Sequence, residues 1–382
     1  MSVPKLRFKE FDGDWTGSKL GQLIGISSAS RVFKEQWQES GVPFYRTSDV
    51  TSIFKNKENE KAYISLELFE ELAKKSGKIQ KGDLLVTGGG TIGIPYLVPN
   101  DEPLYFKDAD LLWLKSSGVI DGSFLYNFFI SPKFREYLKS ISHTGTISHF
   151  TIEQAKETPF EFPSKPEQTQ IASFLSAVDE KISQLTQKHE LLSQYKQGMM
   201  QKLFSQQIRF KADDGSEFGE WEEIKFKEVI KIKYGKDHKK LDDGDIPVLG
   251  TGGIMRYVDS YLYDGESILI GRKGTIDKPQ FISGKFWTVD TLFYTEIGEK
   301  ILPKFAFQQL LLVNWLNLNE ATGVPSLNTT SIGNIELKVP SLKEQTKIAN
   351  FLSAIDQKIE VIAKQIEQAK QWKKGLLQQM FV

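Results

Sequence analysis

The chain repeats itself, and this constrains its fold more than any local pattern does. Residues 163–204 read PSKPEQTQIASFLSAVDEKISQLTQKHELLSQYKQGMMQKLF, and residues 340–381 read PSLKEQTKIANFLSAIDQKIEVIAKQIEQAKQWKKGLLQQMF. At an offset of 177 they match without a gap at 20 of 42 positions. The regions before them correspond more faintly. Leu6-Arg7-Phe8-Lys9, Trp15 and Lys19 answer Ile208-Arg209-Phe210-Lys211, Trp221 and Lys225. Val42-Pro43 with Thr47 answers Ile246-Pro247 with Thr251, Gly90-Thr91-Ile92 answers Gly274-Thr275-Ile276, and Thr144-Gly145 answers Thr322-Gly323. The offset drifts between these landmarks, so the variable regions share a fold while their loops differ. Each unit is too long for a solenoid repeat and forms a domain by itself. The order is variable (1–162), constant (163–205), variable (206–339), constant (340–382).

Both constant segments predict long helices. Each opens with Ser-x-x-Glu, Ser164 with Glu167 and Ser341 with Glu344, the pattern of a capping box. Pro166 falls in the first turn, where its missing N–H costs nothing. Apolar residues then recur with coiled-coil spacing: Ile171, Leu175, Val178, Ile182, Leu185 and Leu192, then Ile348, Leu352, Ile355, Ile359, Ile362 and Ile366. Each run spans about 38 residues, or about 57 Å at 1.5 Å per residue. Two such copies related by a pseudo-two-fold axis would lie antiparallel and bury each other's seams. Two ordinary domains with long core helices are the plainer alternative. Phe174, Phe351, Met199, Met200, Leu203, Phe204, Leu376, Leu377, Met380 and Phe381 lie off the seam, covered either by the variable domains or by helices of other proteins.

The variable regions mix short β-like runs, such as Asp83–Val86 and Ser267–Ile270, with helical stretches at Ser65–Lys75, Ser123–Ile130 and Lys304–Leu318. The expected class is α+β: two α+β domains separated by two long antiparallel coiled-coil helices. Apolar residues at 40 % suffice for sizeable cores, and no run of about 18 apolar residues predicts a membrane span. Zero cysteines exclude disulfides and thiolate chemistry and suit a reducing cytoplasm. The opening MSVPKLRFKEFDGDW lacks a signal-peptide core, so a cytoplasmic location is expected.

Catalytic signatures are missing. Gly88-Gly89-Gly90-Thr91-Ile92-Gly93 matches G-x-G-x-x-G but leads into Ile94-Pro95-Tyr96, an extended run rather than the helix a pyrophosphate needs. There is no phosphate-loop motif, no G-x-S-x-G elbow and no adenine-methyltransferase [NDS]-P-P-[YF] signature. His143, His149, His189 and His238 show no metal-ligand spacing, so no metal and no catalytic residue is assigned.

At PEQTQIASFLSAVDEKI and KEQTKIANFLSAIDQKI the chain resembles the conserved regions of type I restriction–modification specificity subunits. The opening PKLRFKEFDGDW and the order TG…P-x-x-EQ-x-x-IA-x-FL are similar to the same family. The resemblance implies a non-catalytic subunit with two target-recognition domains, each reading one half of a bipartite double-stranded DNA sequence. It implies that the conserved helices fix the spacer between half-sites. It further implies two methyltransferase subunits that bind S-adenosylmethionine and methylate adenine N6, and motor–nuclease subunits that use ATP and Mg²⁺. No cofactor is expected on this chain itself.

Side chains that read bases are usually Arg, Lys, Asn, Gln, Asp and Glu, while Ser, Thr and backbone N–H groups position phosphates. In the first variable region the DNA candidates are Arg46-Thr47-Ser48, Thr87, Gly89, Gly90, Thr91, Lys107 and the stretch His143-Thr144-Gly145-Thr146. The second offers Lys236, His238, Lys239, Lys240, Thr251, Gly252, Arg256, Arg272, Lys273, Thr275, Lys278 and Trp287. Lys231–Lys240 holds five lysines and a histidine, the densest basic cluster in the chain. A solvated loop is its plain alternative. Charge over each whole variable region is nonetheless close to balanced: residues 1–162 carry 20 basic and 21 acidic side chains, and 206–339 carry 17 and 20. Weak DNA affinity in isolation is therefore expected, with tight binding only alongside partners. A coiled-coil scaffold joining two protein-binding modules is the competing class, and an orphan specificity chain without a nuclease is the variant within the family.

Overall fold

The computed structural model describes residues 4–108, 110–116, 118–141 and 149–381. The chain divides into two compact units: the first holds Met1–Leu185 and Gln365–Val382, the second Thr186–Lys364.

The two units are built on one plan. In the first, Thr16–Lys19 pairs antiparallel with Pro159–Phe162, immediately before the first long helix. A four-stranded sheet runs Ile26–Ser27, Leu111–Leu114, Leu84–Thr87, Pro95–Leu97. A three-stranded sheet centres on Val42–Tyr45, antiparallel to Ala62–Ile64 and parallel to Tyr105–Phe106. The second unit repeats each piece. Glu222–Lys225 pairs with Glu336–Val339, and a sheet runs Ile230–Tyr234, Leu292–Ile297, Ser267–Gly271, Gln280–Ile282. Ile246–Gly250 lies antiparallel to Gly253–Val258 and parallel to Lys285–Thr288. The first unit inserts the helix Thr47–Phe54 after its central strand, where the second makes a tight hairpin. The α+β class expected from the sequence is what the chain adopts.

The constant segments are helices Lys165–Phe204 and Leu342–Met380, of 40 and 39 residues. Each unit takes the opening half of one and the closing half of the other. Lys373 Nζ lies 2.6 Å from Asp179 in the first unit, and Lys196 Nζ lies 2.6 Å from Asp356 in the second. Facing residue numbers thus add to 552 in both, so the helices pair in opposite senses. The two ion pairs are also repeat equivalents, since Asp179 and Asp356, and Lys196 and Lys373, are each 177 apart.

Packing explains the apolar residues off the seam. The first unit's core gathers Phe124, Phe128 and Phe160 with Ile171, Leu175 and Val178 and with Leu376, Leu377, Met380 and Phe381. The second joins Phe305 and Trp315 to Met200, Leu203 and Phe204 and to Ile348, Leu352 and Ile355. The variable domains therefore cover these residues. The seam is correspondingly less of a helix-to-helix zipper than its spacing suggests, because its ends serve domain cores. Leu185, Ile362 and Ile366 are buried, while Ile182, Leu192 and Ile359 stay partly exposed. Phe8 packs edge-on against Phe174 at 5.6 Å, and the equivalent Phe210 meets Phe351 at 5.6 Å.

Two local expectations are corrected. The glutamate of Ser-x-x-Glu does not close a capping box. Glu167 and Glu344, 1 % and 0 % exposed, instead receive distant donors. Arg7 reaches Glu167 through Nε and Nη2, both at 2.7 Å, and Trp15 Nε1 adds a third bond at 3.3 Å. Arg209 grips Glu344 at 3.0 and 2.7 Å, with Trp221 Nε1 at 3.1 Å. A buried carboxylate needs such a partner, since ionised groups are rarely buried unpaired. The neighbouring glutamines repeat as well: Gln168 accepts from Asp121 N and Gln345 from Leu302 N, each at a helix start. Second, the helix expected over 304–318 ends at Leu310, and a 3₁₀ turn Trp315–Leu318 follows. The buried Trp315 folds back to donate its indole N–H to the Leu310 carbonyl at 3.0 Å, an acceptor a continuing helix would use.

Among the described residues no helix is long and apolar enough to cross a membrane.

Candidate nucleic-acid interface

In the first unit three loops converge. Thr47 opens the helix Thr47–Phe54, and its hydroxyl donates to the Asp110 carbonyl at 3.3 Å. Gly88 N donates to that same carbonyl, which brings the glycine loop beside it. A Cβ on Gly89 would stand 3.1 Å from Asp110 Oδ1 and 3.5 Å from His149 Nδ1, so a side chain there would make the Asp110 carboxylate give way by a few tenths of an ångström. Gly90 has φ 67°, a left-handed conformation that favours glycine. Lys107 pairs with Asp110 at 2.7 Å. Thr47, Gly89, Gly90 and Lys107 thus cluster, with Thr91 exposed at the loop tip. The loop passes into the strand Pro95–Leu97, as the sequence indicated.

Several candidates are committed to the fold instead. Arg46 binds Asp49 through Nε at 2.8 Å, reaches the Glu60 carbonyl and stacks on Trp37 at 5.6 Å. The buried Thr87 donates its hydroxyl to the Thr91 carbonyl and accepts from Ile94 N at 2.8 Å, so it shapes the loop from behind. Ser48 is exposed and accepts from Asn59. His143, Thr144 and Thr146 lie outside the described residues.

Sequence reasoning missed Arg135. Its guanidinium donates to the carbonyls of Ile92 and Gly93, both at 3.1 Å, and no carboxylate among the described residues pairs with it. Burial lowers its pKa, the direction expected for a desolvated cation. It holds the glycine loop and places a positive charge behind it. Nothing in its sequence neighbourhood marks this role.

In the second unit four of the candidates line a cleft of about 780 Å³. His238, Lys239, Thr251 and Gly252 line it, together with Asp237 and Asp290. Trp287 Nε1 donates to the Lys236 carbonyl at 2.9 Å, fixing the basic loop to its strand. The Asp237 carboxyl lies below the usual range because the Lys239 backbone N–H donates to it. His238 Nδ1 is buried without a hydrogen-bond partner among the described residues. Arg272 stacks on Tyr234 at 5.5 Å and donates one N–H to the Asp290 carbonyl at 3.1 Å. Lys273 and Thr275 are exposed on the same loop, which approaches the cleft at Thr251: a Cβ on Gly274 would stand 3.9 Å from its hydroxyl. Lys240 and Lys278 are exposed as well. Arg256 is the exception, tied to Asp243 at 2.8 Å and to the Leu241 carbonyl. No group of three or more His, Asp or Glu among the described residues is arranged to hold a metal.

Equivalent positions therefore differ in chemistry. Gly88-Gly89-Gly90-Thr91 in one unit answers Gly271-Arg272-Lys273-Gly274-Thr275 in the other, on strands of matching topology.

The comparisons agree with this organisation. The family model for the type I restriction modification DNA specificity domain matches residues 12–194 and 219–371. The specificity subunit of the type I restriction enzyme MjaVIII from Methanocaldococcus jannaschii is 28 % identical over 425 residues, covering 97 % of this chain and 94 % of that one. The EcoprrI specificity subunit of Escherichia coli is 25 % identical, covering 89 % and 86 %. In fold, the chain is similar to the type I S subunit of M. genitalium, with a TM-score of 0.67 at 20 % identity over 100 % and 99 % of the two chains.

Proposed function

The chain belongs to the type I restriction–modification DNA specificity family, and from that premise we propose that each unit reads one half of a bipartite DNA target for partner subunits. One observation carries this reading. The frame of each unit is the same, down to Arg–Glu–Trp at the helix start, while the loops it presents differ. A duplicated frame with divergent loops suits two unlike half-sites. The paired helices would fix the spacer and dock two methyltransferase subunits, with motor–nuclease subunits added for restriction. S-adenosylmethionine, ATP and Mg²⁺ would reside on those cytoplasmic partners, and this chain would supply no catalytic group.

Mapping methylated adenines in a host that expresses the chain with its methyltransferase tests the proposal. One asymmetric bipartite motif carrying N6-methyladenine is expected. Methylation of a single unbroken motif, or of two identical half-sites, would contradict it.

Arg272→Ala gives a narrower prediction. Its stacking on Tyr234 orients the guanidinium, and the donors not used on Asp290 remain available. Loss of a base contact should relax one position by about 1–3 kcal/mol, whereas loss of a phosphate contact should weaken all sequences and reduce the salt slope by about 1. Titrations of the complex at several salt concentrations separate the two. Unchanged affinity and slope would remove Arg272 from the interface.

A further inference from the structure

The hairpin beside the second unit's cleft breaks strand alternation. Leu249 faces Ile254, but Val248 faces Arg256, so Met255 has no partner across the ladder. This is a β-bulge, with two residues opposing one. Successive side chains of a regular strand point to opposite faces, so one of any two neighbours turns inward. The bulge removes that constraint, and Ile254 and Met255 are 56 % and 60 % exposed. Both line the cleft next to Lys239, Asp237 and Asp290. Met255 lies across the turn, where a Cβ on Gly250 would come within 2.9 Å of its Sδ.

The surroundings select the partner. Lys236, Lys239, Lys240, Lys273 and Lys278 are exposed and make no ion pair among the described residues. An apolar protein surface would desolvate these cations, none of which has a close carboxylate partner among the described residues, at a cost. A DNA groove satisfies both features, because phosphates neutralise the lysines while thymine methyl groups offer apolar contact. The major groove admits a two-stranded β-ribbon, and carboxylates such as Asp237 and Asp290 can accept from cytosine amino groups there.

We propose that the hairpin Ile246–Val258 enters the major groove at the second unit's half-site, with Met255 and Ile254 contacting a thymine methyl group. This rests on the reading that the unit binds DNA, and it adds which element reads and what it reads. The first unit has the helix Thr47–Phe54 at the equivalent place, so the two readers differ in kind.

The test uses the complex with its methyltransferase and target duplexes in which each thymine of the half-site is replaced in turn by uracil, which removes only the methyl group. One replacement should weaken wild-type binding by about fourfold, the worth of one buried methyl. Met255→Ser should weaken the thymine target comparably and be indifferent to that replacement, while preference at the other half-site stays intact. Gly250→Ala keeps the methionine but displaces its sulfur, and should show a weaker form of the same effect. If wild type and Met255→Ser respond alike to every replacement, or if Met255→Ser blocks assembly with the methyltransferase, the hairpin is not the reader. If wild type binds no bipartite target at all, the reading of the unit as a DNA reader fails instead.

Discussion

Arg209→Met should lower the stability of the second unit by about 3 kcal/mol, the low end of the roughly 3–5 kcal/mol lost when one member of a buried ion pair is removed. The low end applies because the arginine itself is partly solvated at 22 % exposure while Glu344 is fully buried. The variant leaves that carboxylate with the Trp221 indole N–H at 3.1 Å and a short bond from neither guanidinium nitrogen. The pKa of Arg209 is raised chiefly by its hydrogen bonds to Glu344, which reports the same coupling from the other side. For a unit of this size a 3 kcal/mol loss lowers the melting temperature by roughly 6–12 °C. Arg209→Met combined with Glu344→Leu removes both charges and should recover most of the loss. Arg7→Met, alone and combined with Glu167→Leu, should behave alike in the first unit, where both bonds are 2.7 Å. Thermal unfolding of the four variants decides it. A single variant that melts within about a degree of the parent would show that the arginine is not a lock.

The lock also shows what a sequence discloses. The long helices were legible because a period of this kind repeats over many turns, and they extend within a few residues of the expected ends. Ser-x-x-Glu suggested a cap because that motif is local, whereas the true partner of Glu167 lies 160 residues away. The signal existed in another form: Arg7 and Trp15 recur as Arg209 and Trp221 in regions that otherwise diverge. The loops were harder to read. Arg46 and Arg256 have the same chemistry as a base reader, and only the placement of Asp49 and Asp243 reveals that both are occupied. Arg272 has no such partner among the described residues and keeps donors free. The bulge at Met255 had no visible sign either, since Gly-Ile-Met-Arg-Tyr-Val reads as an ordinary strand.

Inserting one helical turn at the centre of both long helices should change the spacing of the DNA target. The ion pairs Asp179–Lys373 and Lys196–Asp356 define where that centre is. The residue opposite a given position is also its repeat equivalent only between 187 and 188, and between 364 and 365. Four residues placed at both points leave the two ion pairs intact, because Asp179 and Lys373 stay on one side of both points and Lys196 and Asp356 on the other. They add about 6 Å of rise and about 40° of residual rotation. About 6 Å corresponds to nearly two base pairs at roughly 3.4 Å each, while about 40° corresponds to one at roughly 35° each. The preferred spacer should therefore lengthen by one or two base pairs, with both half-sites unchanged. The same insertion in the first helix alone cannot preserve both ion pairs with straight helices, so it should destabilise one unit and abolish methylation. Methylation mapping of the two variants reads the outcome directly. A matched insertion that methylates the parental motif with the parental spacer would mean that the helices do not set the distance.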